Sequence, residues 1–153
     1  TSEYLAAKGT SAGGITVGRA ITERPELFKA AIINVGVLNS LRNISNSAAV
    51  SEYGNVKDSV DFKSILNMDT YHHIKEGVNY PSILITAGKN DARVDWWQPA
   101  KAAARIQEVG RNRSNIILFN LFNEGHSGNN DPTLVGDEYS FLFWQLNGNS
   151  NLK

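Results

Sequence analysis

A chain of 153 residues and 16.8 kDa is about one ordinary domain, long enough to bury a core without disulfide or metal staples. Fifteen basic against fifteen acidic residues leave no net charge at a sequence pI near 6.8, which removes the electrostatic footprint expected of a nucleic-acid binder or of a protein held on an anionic membrane. The composition, 41% hydrophobic and 20% charged, is that of a globular protein; no apolar run approaches the roughly 18 residues of a bilayer span, and the lack of cysteine excludes disulfides and thiolate metal sites while leaving the compartment unknown.

The chain opens Thr1-Ser2-Glu3-Tyr4-Leu5 without Met or a leader pattern, so the expectation is a processed start or a piece of a longer polypeptide. Tyr4 to Lys8 is short and half apolar, and predicts a strand running into the turn Gly9-Thr10-Ser11-Ala12-Gly13-Gly14. From Ala12 to Glu23 the residues Ile15, Val17, Ala20 and Ile21 recur at helical spacing until Arg24-Pro25 ends the pattern, because a residue before proline is pushed out of the helical region. Ala30 to Gly36 is a nearly continuous apolar run, as in a strand covered on both faces. Asn39 to Asp69 is rich in Asn and Ser and poorly periodic, which predicts loops and short helices.

Pro81 to Gly88 reads as a third strand, with its proline ahead of the ladder. A helix follows from Trp97 to Val109, with Pro99 in its first turn and Gly110 at its end. Asn115 to Phe122 is a fourth strand. Asp131-Pro132 then caps and opens a last helix with Leu134, Tyr139, Leu142, Phe143 and Leu146 on one stripe, before a frayed tail from Asn147 to Lys153. Strands alternating with helices predict an α/β fold with a mostly parallel sheet of about four strands.

Gly9-Thr10-Ser11-Ala12-Gly13 fits G-x-S-x-G, a motif that places a serine on a strained strand-to-helix turn. There Ser11 Oγ stands above the sheet and the Ala12 N–H faces a developing oxyanion; the alternative is a serine in an ordinary glycine-rich turn. A serine hydroxyl needs a base, and His126, in Glu124-Gly125-His126-Ser127-Gly128 just past the last strand, is the candidate. His72 and His73 precede the third strand among residues that read as packing, and are taken as structural or solvated. Asp91 follows the third strand, so Ser11, Asp91 and His126 lie at one sheet edge in the chain order Ser, Asp, His. Asp91 has an alternative as a loop cap, Asp95 is its nearest competitor, and Asp131 is explained as a helix cap. Arg93 by itself reads as a surface cation.

Together these residues resemble the C-terminal part of the catalytic domain of the prolyl oligopeptidase family of serine peptidases, over nearly the whole chain. The resemblance is carried by Gly9 to Gly14, Arg24-Pro25-Glu26-Leu27-Phe28, Asn34-Val35-Gly36-Val37, Glu52-Tyr53-Gly54, Tyr80-Pro81-Ser82, Asn90 to Val94 and Gly125-His126, in the family's order. It implies a partial α/β-hydrolase fold over residues 1–153, with Ser11 as nucleophile, His126 as base and Asp91 as orienting acid. It also implies that Arg93 grips a substrate carbonyl, that Val94 and Tyr53 line the substrate site, and that short peptides are cut through an acyl-enzyme without metal or organic cofactor. An esterase or acylaminoacyl-type hydrolase of the same fold, and an inactive self-associating piece, are the alternatives.

Two departures from the family pattern stand out. Ala48-Ala49-Val50 occupies the place of a tryptophan that stacks on proline in prolyl-specific members, and Glu52 suits a basic side chain, as in the related oligopeptidase B group. The family's second oxyanion donor, a tyrosine, and its β-propeller lie upstream of the matched region. An elbow strand without its neighbour predicts a homo-oligomer formed along Tyr4 to Lys8, and the loss of that second oxyanion donor predicts little peptidase activity in this chain alone.

Overall fold

The computed structural model describes residues 1–42, 47–111 and 115–147. Among these, four strands form one parallel sheet in chain order: β1 (Ala6–Thr10), β2 (Ala30–Asn34), β3 (Ser82–Gly88) and β4 (Ile117–Phe122). Thr10, Asn34, Thr86 and Asn120 stand level in register, so all the connections that follow the strands leave the same edge. The helices are α1 (Gly13–Glu23), α2 (Ser47–Tyr53), α3 (Ser59–Met68), α4 (Thr70–His73), α5 (Trp97–Val109) and α6 (Pro132–Leu146).

The continuous apolar runs of β2 and β3 are explained by cover on both faces. Ala31 and Ile33 turn toward Val17 and Ile21 of α1 and Ala102, Ala103 and Ile106 of α5; the alternate residues Ala30 and Ile32 meet Phe141 of α6. Full burial of an aliphatic side chain such as Ile21, Ile33 or Ile83 stabilises the fold by about 1.5–3 kcal/mol. α1 lies close to the sheet because of Gly14: a Cβ there would stand 2.7 Å from Gly36 Cα.

Two strand starts and one helix face differ from the sequence expectation. β1 begins at Ala6, two residues late, because pairing starts opposite Ala30, while Ser2–Tyr4 form a 3₁₀ turn that leaves Tyr4 exposed. β4 begins at Ile117 because side chains take the preceding groups: Asn115 Nδ2 donates to the Tyr80 carbonyl (2.5 Å) and Ile116 N–H to Ser82 Oγ (3.1 Å). In α6 the predicted stripe is only half correct. Leu134, Leu142 and Leu146 are partly covered, but Tyr139 and Phe143 face out, and the buried residues are Phe141 and Glu138. Aromatic and aliphatic residues surround that helix, so periodicity did not single out its inner face.

Asp131 caps α6 as expected, accepting from Thr133 N–H at 2.8 Å, and that bond holds its carboxyl below the usual carboxylate range. The excursion contains α2, α3 and a 3₁₀ turn, Ser40–Arg42, with α4 just beyond it; its residues 43–46 lie outside the described ones, as does the expected frayed tail beyond Asn147. No helix among the described residues is long and apolar enough to cross a membrane.

Candidate active site

β1 ends one residue before Ser11, and the chain reverses into α1 within two more. That turn forces Ser11 to φ 56°, a left-handed conformation unusual for a residue with a side chain. Gly9 makes room for it, since a Cβ there would stand 2.3 Å from the Gly13 carbonyl oxygen. Backbone bonds from β2 and the loop after it hold the turn in place. Ser11 N–H donates to the Asn34 carbonyl (2.9 Å), and Val37 N–H donates to the Ser11 carbonyl (3.0 Å). Ala12, at the N-cap of α1, is exposed, and its N–H precedes the first hydrogen-bonded turn, where helices leave donors without an intrahelical partner.

Asp91 and His126 arrive on the loops after β3 and β4. The ladder between those strands continues past their ends through Lys89 N–H to Phe122 O (2.8 Å) and Asn90 N–H to Glu124 O (3.3 Å), which carries the two loops side by side. His126 Nε2 lies 2.9 Å from Ser11 Oγ, and His126 Nδ1 lies 2.7 Å from Asp91 Oδ2. The Asp91 side chain is wholly buried and that of His126 is 16% exposed, so the carboxylate acts on the imidazole with little screening while the imidazole edge stays reachable. The other oxygen of Asp91 caps its own loop: Oδ1 accepts the N–H groups of Arg93 (2.8 Å) and Val94 (3.0 Å). Asp95 makes no such contact with His126.

Arg93 is exposed on that loop and Val94 is buried, with its N–H on Asp91 Oδ1. Tyr53 is the last residue of α2. Burial and a hydrogen bond to Glu52 push its phenol up to about 12, against a smaller opposing pull from Arg93, so it remains a neutral donor at physiological pH. Beside Tyr53, a hollow of about 190 Å³ is lined by Ser40, Ala49, Val50 and Ile65. His72 and His73 are engaged elsewhere: His72 Nδ1 meets Asp69 Oδ1 (2.8 Å) and His73 Nδ1 meets the Asp69 carbonyl (2.7 Å). Among the described residues no group of three or more His, Asp or Glu could hold a metal ion.

Asn34 and Glu138 are additions that the sequence did not single out. The carbonyl of Asn34 holds Ser11, and its side chain joins a buried polar chain that ends at Glu138. The available signals were a polar residue closing an apolar strand run and an acid within an apolar helix.

A hydroxyl, an imidazole and a carboxylate joined in this order form the arrangement that lets serine attack a carbonyl. The family model described as "Prolyl oligopeptidase family" matches residues 1–149. A prolyl endopeptidase from Elizabethkingia miricola is 30% identical over 161 aligned positions, covering 100% of this chain and 23% of that protein. Protease 2 from Moraxella lacunata is 29% identical, covering 93% and 22%. Among solved structures, one from an analysis of two prolyl endopeptidases superposes with a TM-score of 0.88 at 34% identity, over 96% of this chain and 23% of that one. Oligopeptidase B from Leishmania major gives 0.86 at 26% identity, over 96% and 22%. This chain therefore spans less than a quarter of the length of these relatives, and with its parallel sheet, flanking helices and match over residues 1–149 it belongs to the prolyl oligopeptidase family of α/β-hydrolase serine peptidases.

Proposed function

We propose that this chain is the C-terminal portion of a peptidase catalytic domain and that it cuts short peptides through an acyl-enzyme. Ser11 Oγ attacks the scissile carbonyl as its proton passes to His126 Nε2, and the Ala12 N–H donates a hydrogen bond to the oxyanion that forms on the carbonyl oxygen. The imidazolium, held by Asp91, returns the proton to the leaving amine, and the C–N bond breaks to leave an ester on Ser11. Water, losing its proton to His126, then attacks that ester, and Ser11 leaves with the proton restored. The observation that supports this most is the unbroken pair of hydrogen bonds, 2.9 and 2.7 Å, through His126.

In this scheme Arg93 binds the substrate carbonyl that precedes the scissile residue, with Val94 and Tyr53 beside it. The test is a pair of substrates on the intact protein, a peptide and a small activated ester that lacks that carbonyl. Arg93→Ala lowers kcat/KM for the peptide by about ten- to a hundredfold, the loss expected when a charge-assisted hydrogen bond is removed, and leaves the ester within about twofold. Equal losses on both substrates would assign Arg93 a structural role. An ester turned over freely by a protein inactive on every peptide would make it an esterase.

We further propose that the β1 edge pairs with a second copy of the chain. Among the described residues β1 has β2 on one side only, Tyr4 and Leu5 next to it are 71% and 45% exposed, and zero net charge offers no repulsion. Light scattering of the 153-residue chain is expected to give at least twice 16.8 kDa; a monodisperse monomer overturns the pairing.

A further inference from the structure

Glu138 is the buried acid of α6, with a side chain only 4% exposed, and the chemistry above makes no use of it. Its carboxylate ties three strands together, β1 and β2 directly and β3 through Asn34. Lys8 Nζ of β1 donates to Oε2 (2.5 Å), Asn34 Nδ2 of β2 donates to Oε1, and Thr86 Oγ1 of β3 donates to Asn34 Oδ1 (3.1 Å). A buried carboxylate is costly unless its oxygens are occupied, so this chain of bonds holds α6 at one place against the sheet. The location is informative. Asn34 is also the residue whose carbonyl accepts the Ser11 N–H, and α6 begins two residues after the 3₁₀ turn His126–Asn130, which opens with His126.

We infer that Glu138 is a positioning residue, which fixes the distance between His126 and Ser11 by tying the helix behind the histidine to the strands behind the serine. The inference rests on the serine-hydrolase chemistry proposed above. The donors and acceptors give it a specific signature. Glu138→Gln turns an amide donor toward either Lys8 or Asn34, both already donors. Asn34→Asp sets two carboxylates against each other. Combining them restores every bond: the new amide at position 138 donates to the new carboxylate at position 34 and accepts from Lys8, while Thr86 still donates to position 34.

The experiment measures, in the intact protein, the rate of phosphonylation of Ser11 by a fluorophosphonate probe, together with kcat and KM for a small activated ester, at a temperature where circular dichroism shows each variant folded. Each single variant is expected to lose about tenfold or more in phosphonylation and kcat, as misplacement of a reacting group does, with KM within about twofold. The double variant is expected to return to within about threefold of the parent. Folded single variants at the parental rate, or a double variant as slow as the singles, overturn the inference. Should a single variant fail to fold, Thr86→Val, which removes only the far end of the chain of bonds, is expected to slow phosphonylation about threefold at unchanged KM, and a parental rate there overturns it equally. A parent protein that the probe does not label at Ser11 instead overturns the hydrolase chemistry itself, and the inference with it.

Discussion

Ser11→Ala in the intact protein is expected to abolish labelling by a fluorophosphonate and to lower peptide hydrolysis by about 10⁶-fold, the scale seen when a serine nucleophile is removed from another triad. The substitution deletes one oxygen and leaves the turn intact. The bonds that hold the elbow, Ser11 N–H to Asn34 O and Val37 N–H to Ser11 O, belong to the main chain and survive. Alanine has no easier access than serine to φ 56°, so the strain at the turn is carried over unchanged. Because His126 keeps part of its edge in solvent, water replaces the lost hydroxyl and thermal stability stays close to that of the parent. Adding His126→Ala to this variant costs little more, since residues that act as a unit are not additive. Peptide turnover within tenfold of the parent, by protein of parental stability, would mean that another nucleophile does the chemistry.

Asp91→Asn separates the two roles of that carboxylate, with an expected fall in kcat of about 10⁴, as in a related change at another triad. The remaining oxygen of asparagine can still accept the N–H groups of Arg93 and Val94, so the loop keeps its cap. Its amide nitrogen then faces His126 Nδ1. The reverse orientation sets a donor against two amides and is disfavoured. Facing a donor, Nδ1 must give up its proton, and the imidazole carries hydrogen on Nε2, toward Ser11 Oγ. A ring in that tautomer cannot accept the serine proton. Asp91→Ala loses both functions, and leaves two loop amides unsatisfied at about 1–3 kcal/mol each where they are buried. The melting temperature of the Asn variant should match the parent and that of the Ala variant should fall. Equal activity losses, with equal drops in melting temperature, would reduce Asp91 to a loop cap.

Much of the architecture was readable in the chain itself, because it depends on local chemistry. β3 and α5 have the bounds that their apolar run, Pro99 and Gly110 suggested, and α1 starts where the glycine-rich turn releases it. The motif around Ser11, the strand before it and the helix after it agree at every level, and agreement across levels is what makes a segment legible. Their place in the chain already gathers Ser11, Asp91 and His126 at one edge of a sheet, since parallel strands send their following loops to the same side.

What the tertiary structure alone decided concerns residues whose partners are far away in sequence. The start of β1 depends on where β2 begins, because pairing requires a neighbour; Tyr4 is left out for want of one opposite. In α6, apolar residues on nearly every side leave periodicity without a preferred face, and the choice falls to Glu138, drawn inward by Lys8 130 residues away and Asn34 104 residues away. Composition and spacing assign a charged residue to the surface. Only the fold supplies the donors that let a carboxylate lie buried, and with them the tie between the histidine and serine sides of the site.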